Sequence, residues 1–301
     1  MSKKNSAYAC LIFICLVWGT TYLFTRVAVA SFPAFTFSGI RNVAAGLLLL
    51  GVLPFTGNRF TWTRSAILPN VLAGMMIVGL GNGLITWSVR FIPSGLAAMI
   101  CTLMPVLIVL LSLLTQQGGR VNRMILTGIA FGLLGMGFIF HDNLKDLGNP
   151  EYAAGMGVAF AGCLSWSAGT LFSRTRTAHT NSFYNAALQL LSGGILTLVL
   201  SLFSGDWSHL SGIKPESIAS LVYLIVVGSS AAFAAYQYAL NALPVGLVAT
   251  YAYVNPLIAV ILGYAVLSEK ITGIMCLAFV LTIAGVYLVN KGYQTKKISV
   301  S

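Results

Sequence analysis

The sequence predicts an all-α polytopic membrane protein whose ten transmembrane helices form two inverted five-helix repeats. Composition, recurring apolar stretches and an internal repeat lead to this prediction. Of the 301 residues, 57% are hydrophobic and 8% are charged, against roughly 25% charged residues in soluble domains. So few polar residues could not cover this much apolar surface in a soluble protein. A transmembrane barrel would need alternating segments of about ten residues, and the sequence shows none.

Apolar stretches of about 20 residues recur along the chain, and each is long enough to cross ~30 Å of hydrocarbon. Short connections that contain proline, glycine, asparagine or charged residues separate these stretches. We therefore expect membrane spans near residues 7–29, 34–54, 67–90, 94–115, 121–141, 151–173, 181–204, 216–241, 245–267 and 271–291.

Lysine and arginine concentrate on one side of this arrangement. With the N-terminus inside, eleven of the 17 basic residues fall in inner segments, and all six acidic residues fall outside. Cytoplasmic loops are enriched in lysine and arginine, so both termini are predicted to be cytoplasmic. The net charge of +11 is then a topology signal, and no nucleic-acid partner is expected. No cleavage site follows Trp18, which indicates an uncleaved first helix and favours a bacterial inner (plasma) membrane.

The two halves of the chain resemble each other. The stretch "WGTTYLFTR" at 18–26 aligns with "WSAGTLFSR" at 166–174, at an offset of 148 residues. Farther along, "PSGLAAMICTLMP" at 93–105 aligns with "PVGLVATYAYVNP" at 244–256. Because five helices are an odd number, the second unit enters the membrane from the opposite side, as in inverted-repeat transporters. The predicted units are residues 1–142 and 149–292, followed by a cytoplasmic tail at 293–301.

A proline lies in the middle of the fourth and ninth predicted spans. Pro105 and Pro256 occupy the same position in the two repeats. Proline removes a backbone hydrogen bond from a helix, and interrupted helices at matching positions indicate a central substrate site. The alternative is a packing kink, since proline is common in membrane helices.

Several polar residues within the spans are candidates for substrate contact. Arg41 is the one charge clearly inside a span. It would bind a substrate carboxylate or a gating carbonyl, or else extend toward the membrane surface or cap the end of a neighbouring helix. In "GLGNGLITW" at 79–87, Asn82 and Thr86 share a face between glycines, and they contact either substrate or a neighbouring helix. The same two alternatives hold for Gln237, Tyr251 and Asn255.

Aromatic residues recur at matching positions of the first and sixth spans. Trp18 and Trp166 are related by the repeat, and Tyr22 lies one turn beyond Trp18. Such rings would bind apolar, aromatic or cationic metabolites, or else they serve helix packing at the membrane interface. The candidate substrate-binding residues are therefore Trp18, Tyr22, Arg41, Asn82, Thr86, Trp166, Gln237, Tyr251 and Asn255.

Other functions find little support in the sequence. The chain contains no nucleotide-binding loop, and only His141 and Asp142 pair acid–base groups, at an outer helix end. We expect no enzymatic activity, no cofactor and no metal site. No Asp or Glu lies deep in a span, so obligatory proton coupling through a buried carboxylate is not expected. Gly128 and Gly132 predict a close helix contact, either inside a monomer or in a weak homodimer.

Three stretches resemble the EamA-type members of the drug/metabolite transporter superfamily, and together with the repeat the resemblance covers nearly the whole chain. They are "WGTTYLFTR", "GIRNVAAGLLLL" at 39–50 and "LPVGLVATYAYVNPLIAVILGYAVLSEKIT" at 243–272. Arg41 matches the family's arginine in helix two, and Gln189 takes its place in the second repeat. The resemblance implies a central cavity lined chiefly by helices one, three, four, six, eight and nine.

The expected function is that of a secondary transporter. The resemblance implies movement of small metabolites or amino acids across a lipid bilayer, often as export. The inverted repeat favours alternating access around the central cavity. A passive channel or a non-transporting sensor is the alternative. The sequence names neither the substrate nor a coupling ion.

Overall fold

The computed structural model describes residues 3–56, 61–115, 122–142, 148–178, 180–203, 212–268 and 272–298. Within these residues the chain forms ten long helices, as the sequence predicts. The helices are α1 Lys3–Val29, α2 Ala34–Val52, α3 Arg64–Ser88, α4 Ser94–Leu114, α5 Arg123–Asp142, α6 Pro150–Arg176, α7 Ser182–Phe203, α8 Pro215–Ala242, α9 Val245–Leu267 and α10 Gly273–Ile298. Eight of them are long and apolar enough to span a membrane, and α5 and α10 contain shorter apolar stretches.

Helix ends follow local sequence signals. The Asn149 side chain accepts a hydrogen bond from the Glu151 amide at 2.9 Å, which caps α6 where its first backbone donors lack partners. Pro215 opens α8 with its fixed φ angle and its missing N–H. α10 continues to Ile298, so most of the segment predicted as a tail at 293–301 extends this helix.

The two five-helix halves pack reciprocally. α2 packs on α7 and α5 packs on α10, so equivalent helices of the two repeats meet. α1 packs against α8 and α9, and its counterpart α6 packs against α3 and α4. Each half therefore packs against the other half through the same set of equivalent helices. This packing is the arrangement expected of two inverted repeats around a pseudo-two-fold axis.

The bundle has two ends. We call the end with the α1–α2 and α3–α4 connections the outer end, and the end with the α6–α7 and α8–α9 connections the inner end. The distribution of lysine and arginine predicts that the inner end faces the cytoplasm. Arg26 donates to the carbonyls of Val89 and Ile92 at the outer end, and its counterpart Arg174 donates to Asn241 at the inner end at 2.8 Å. The shared arginine of the repeated motif therefore caps the end of α3 in one half and of α8 in the other.

Glycines allow the equivalent helices to approach closely. A Cβ atom on Gly128 would lie 2.5 Å from the Gly285 carbonyl oxygen, and one on Gly285 would lie 2.6 Å from that of Gly128. In the α2–α7 pair, a Cβ atom on Gly194 would lie 2.6 Å from the Val43 amide nitrogen. Gly128 thus packs inside the molecule, which matches the internal alternative for its Gly-xxx-Gly pattern.

Apolar side chains also cover the outside of the bundle. Ile12, Leu133, Ile261 and Val280 are each at least half exposed, although they lie in the middle of their helices. In water such a surface would favour aggregation, but lipid chains solvate it at little cost. An apolar exposed surface around a buried core is the arrangement expected of a protein that is surrounded by lipid.

Two pairs of equivalent helices depart from regular α geometry. α4 contains a 3₁₀ turn at Cys101–Leu103 just before Pro105, and α9 is interrupted at Ala249 and Thr250, nearly two turns before Pro256. π-helical segments occupy Met75–Asn82 in α3 and Leu224–Ala231 in α8, offset by 149 residues. π-helical turns are rare and are frequent at functional sites. The two π-helical segments and the 3₁₀ turn of α4 lie near the middle of their helices, and the interruption of α9 lies at its fifth and sixth residues, toward the inner end.

Candidate functional site

A cavity lies between the two repeats at the centre of the bundle. Its empty volume is about 680 Å³, including the part that is open to solvent. Helices α1 to α4 and α6 to α9 contribute to its wall. The lining residues are Trp18, Thr21, Tyr22, Thr25, Arg41, Asn42, Val78, Asn82, Ile85, Thr86, Val89, Met104, Trp166, Leu190, Gly228, Ser229, Phe233, Tyr251 and Asn255.

The cavity extends toward the outer end. Thr25 and Val89 lie near the outer ends of α1 and α3, and Arg41 is the eighth of the 19 residues of α2, counted from its outer start. Trp166 and Asn255, at the middle of α6 and α9, lie at its deep end. Most of the polar lining, Arg41 included, therefore lies on the outer side of these two residues.

Aromatic rings form the deep wall of the cavity, with Trp18 at their centre. The Trp18 ring lies edge-on to Trp166 at 5.5 Å and to Tyr251 at 4.7 Å between centroids, and tilted against Tyr236 at 5.2 Å. The Trp18 indole nitrogen donates to the Gly228 carbonyl oxygen at 3.0 Å. This bond fixes the ring of α1 against the π-helical segment of α8. The wall is apolar and rigid, which suits a flat or aliphatic ligand.

Arg41 provides the charge of the cavity. Its side chain is 5% exposed, and its Nε donates to the Ser229 hydroxyl at 2.7 Å. Ser229 donates in turn to the Asn42 side-chain oxygen at 3.3 Å, and the Asn42 amide lies 3.5 Å from the Asn82 side-chain oxygen. This chain joins α2, α3 and α8 at the level of both π-helical segments. It holds the guanidinium inside the bundle rather than at the membrane surface.

The two interrupted regions supply amide and hydroxyl groups. Asn82 ends the π-helical segment of α3, and buried Thr86 follows one turn later on the same wall. On α9 the Asn255 amide faces the carbonyls of Tyr251 and Cys15, and the orientation that turns its nitrogen toward them allows it to donate to both, at 2.9 and 3.1 Å. Asn255 thus supports the backbone next to Pro256 and also ties α9 to α1.

Most of the residues singled out from the sequence meet in this cavity. Those that line it are Trp18, Tyr22, Arg41, Asn82, Thr86, Trp166, Tyr251 and Asn255. Gln237 is placed elsewhere: it is fully buried, and its amide donates to Gln189 at 2.6 Å. Pro105 and Pro256 are buried behind the lining, where they shape their helices rather than the wall.

Comparison with known proteins places this architecture in a family. Residues 5–141 and 153–291 each match the EamA-like transporter family, one match in each repeat. The chain belongs to the EamA-like transporter family. The resemblance to EamA-type members of the drug/metabolite transporter superfamily is thereby confirmed.

Relatives within the family match nearly the full length of the chain. The uncharacterized inner membrane transporter YedA of Escherichia coli K12 is 30% identical over 287 residues, which are 95% of this chain and 90% of that protein. The probable amino-acid metabolite efflux pump of the same strain is 23% identical over 309 residues, 99% of this chain and 98% of that protein. A crystal structure at 20% identity covers 95% of this chain and 97% of its own, with a TM-score of 0.73, and supports the fold.

This EamA-like chain also contains a buried network of neutral polar residues between the cavity and the inner end. Gln189 lies at its centre: its amide donates to Asn70 at 2.9 Å and to Ser173 at 3.1 Å, and its side-chain oxygen accepts from Gln237. Asn70 also donates to Asn185 at 3.0 Å. We call these five residues the inner network. It links α3 of the first repeat to α6, α7 and α8 of the second.

The inner network corresponds to the charged chain at the outer end. Gln189 is the repeat counterpart of Arg41, and Ser173 is the counterpart of Thr25. Arg41 and Thr25 line the cavity, whereas Gln189 and Ser173 are fully buried. Equivalent positions are therefore open to the cavity on the outer side and sealed on the inner side.

Sequence reasoning missed part of this site. Asn42 and Ser229 hold Arg41 in place, and Tyr236 packs behind Trp18 with its hydroxyl 2.6 Å from that of Thr170. Asn42 could have been found from the sequence, because it is a polar residue inside a predicted span. No sequence signal identified Ser229 or Tyr236, because both are defined by contacts with residues far away in the sequence.

The two repeat-related tryptophans allow a matched test of the Trp18 bond. Trp18→Phe is expected to lower the free energy of unfolding by about 1 kcal/mol more than Trp166→Phe, measured by denaturation in detergent. Both changes remove the same atoms, but only Trp18 donates to a carbonyl, and the Trp166 indole nitrogen has no partner among the described residues. Equal losses would show that the Gly228 bond contributes nothing to stability.

Proposed function

We propose that the protein is a secondary transporter that moves small metabolites, amino acids among them, by alternating access. One observation carries this proposal: a central cavity between inverted repeats extends toward the outer end, and a hydrogen-bonded network lies between it and the inner end. In an inverted repeat, each half can adopt the conformation of the other, which would seal the outer end and open the inner one. The structure described here would then be the outward-facing state.

The proposed direction is export across a bacterial inner membrane, with both termini in the cytoplasm. Two relatives support this, since their names describe an inner membrane transporter and an amino-acid metabolite efflux pump. The described cavity lining includes neither carboxylate nor imidazole groups, so we propose transport without catalysis. It also leaves no carboxylate to relay protons, which favours facilitated diffusion or exchange.

Counterflow in proteoliposomes tests this function. Vesicles preloaded with one member of a panel of amino acids, amines, carboxylates and sugars should accumulate the labelled form of the same compound transiently. Counterflow should saturate with concentration and persist when the proton gradient is dissipated, because no carboxylate in the described lining relays protons. Flux that neither saturates nor exchanges would identify a passive channel, and collapse with the proton gradient would contradict the coupling prediction. Protein-free vesicles and the Gly128→Leu variant discussed below serve as controls.

A further inference from the structure

The charge of Arg41 has no anionic partner in the cavity. The described lining residues include one guanidinium and no aspartate or glutamate. Arg41 donates a hydrogen bond through Nε to the neutral Ser229 hydroxyl. The nitrogens of a guanidinium can donate two parallel hydrogen bonds to the two oxygens of one carboxylate. A buried cation that lacks a counter-ion is unfavourable, so the site is built to gain a negative charge from its ligand.

A second donor in the cavity also lacks a partner. The Trp166 side chain is 7% exposed, and its indole nitrogen has no hydrogen-bond partner among the described residues. An indole N–H donates only, and so does a guanidinium. A ligand that presents acceptor atoms can pair with both groups, whereas a ligand that presents only donors cannot. An ammonium group would meet only aromatic faces and neutral oxygens here, and it would leave the positive charge of Arg41 uncompensated.

Arg41 and the aromatic wall meet at Gly228. The Gly228 carbonyl accepts the bond from Trp18, and a Cβ atom at this position would lie 3.8 Å from Nη2 of Arg41. The same Cβ atom would lie 2.9 Å from the Leu224 side chain and 3.1 Å from that of Thr21, so the glycine lets α8 pack closely on α1 and sets the guanidinium near the Trp18 bond. A single small molecule could contact the guanidinium and the Trp18 ring, with its charged end on α2 and its body against α1, α6 and α9.

We propose that the substrate is a small monocarboxylate with an aromatic or apolar body. Its carboxylate binds Arg41, an acceptor oxygen receives the Trp166 indole N–H, and its body packs on Trp18 and Tyr251. This inference rests on the transport function proposed above and narrows its substrate class from metabolites in general to net anions. Zwitterionic amino acids and amines are then poorer ligands than the matching acid.

Three compounds that share a phenylethyl body test the proposal. They are 3-phenylpropionate, phenylalanine and 2-phenylethylamine, which present a carboxylate, a zwitterion and an ammonium on the same scaffold. Binding to the purified full-length protein is measured by isothermal titration calorimetry in detergent. The dissociation constant of 3-phenylpropionate should be at least about tenfold lower than that of the other two, as expected for charged hydrogen bonds.

Variants at Arg41 connect this preference to the guanidinium. Arg41→Gln, which installs the residue of the second repeat, should weaken 3-phenylpropionate binding at least about tenfold and remove the preference among the three probes. Arg41→Lys should keep the preference for the acid, since the charge remains. Arg64→Gln, at an exposed position of α3, should bind like the unchanged protein. Circular dichroism and gel filtration establish that each variant is folded.

The proposal is overturned if phenylalanine or the amine binds as well as the acid, if none of the three binds at millimolar concentration, or if Arg41→Gln retains the preference. Binding in detergent does not require transport. If any of these results is obtained while another compound shows counterflow, the proposed monocarboxylate substrate is wrong but the proposed transport function stands. Binding of 3-phenylpropionate without counterflow of any compound would instead remove the transport function.

Discussion

Gly128→Leu is expected to cost the folded protein about 3 kcal/mol, the upper end of the range for overpacked interiors. The new Cβ atom would lie 2.5 Å from the Gly285 carbonyl oxygen and 2.8 Å from the Val289 amide nitrogen. Both are backbone atoms that cannot move without displacing α10. The midpoint of thermal unfolding in detergent should fall sharply, and the fraction of monodisperse protein in gel filtration should fall with it.

Gly137→Leu provides the matched control in the same helix. A Cβ atom on Gly137 would meet nothing within 4 Å, and this position is exposed. Leucine there should be neutral or mildly stabilising, because glycine is a poor helix former and the new side chain contacts lipid. Similar losses from the two substitutions would show that the α5–α10 contact does not hold the repeats together.

Gln189→Leu is expected to open the inner end. The substitution keeps the approximate size of the side chain but removes three hydrogen bonds, to Asn70, Ser173 and Gln237. Bonds of this kind within membranes contribute about 0.6–1.7 kcal/mol each, so the sealed state should lose roughly 2–5 kcal/mol. Because 1.4 kcal/mol corresponds to a factor of ten, the ratio of outward-facing to inward-facing protein should fall at least about tenfold. Counterflow rates report this change.

Gln237→Leu is the control for Gln189→Leu. Gln237 contributes a single bond to the inner network, and its side-chain oxygen has no partner among the described residues. Replacing it also removes that unpaired oxygen, so its effect on counterflow should be several-fold smaller. A larger loss from Gln237→Leu than from Gln189→Leu would indicate that Gln237 contacts substrate, as the sequence had suggested, and would contradict its assignment to the inner network.

The helices and their repeat could be predicted from sequence because they depend on local properties. Twenty apolar residues define a span wherever they occur, and the separation of basic from acidic residues fixes the number of crossings. Trp18 and Trp166 could be recognised because the repeated motif marks the same face twice. Arg41 could be recognised because a single charge within an apolar span requires an explanation.

Gln237 shows where this reasoning could not choose between substrate contact and helix contact. Its polarity and its tyrosine neighbours mark it as functional, but its direction depends on the rotation of α8 around its axis. The π-helical segment Leu224–Ala231 precedes it, and each residue inserted into a helix turns the following face by roughly 100°. The segment itself could not be predicted from local sequence. It packs against α2 and α1 of the other repeat, and the sequence around the segment gives no information about these contacts.

Reciprocal labelling of Thr25→Cys and Ser173→Cys tests the central claim most directly. These positions are equivalent in the two repeats, and the five native cysteines would first be replaced by alanine. A membrane-impermeant maleimide should label Thr25→Cys from the outer side and leave Ser173→Cys unreactive. Adding Gln189→Leu should reverse this, with Ser173→Cys now labelled from the inner side and Thr25→Cys protected. Simultaneous labelling of both positions, or a Ser173→Cys that stays unreactive while transport proceeds, would contradict alternating access.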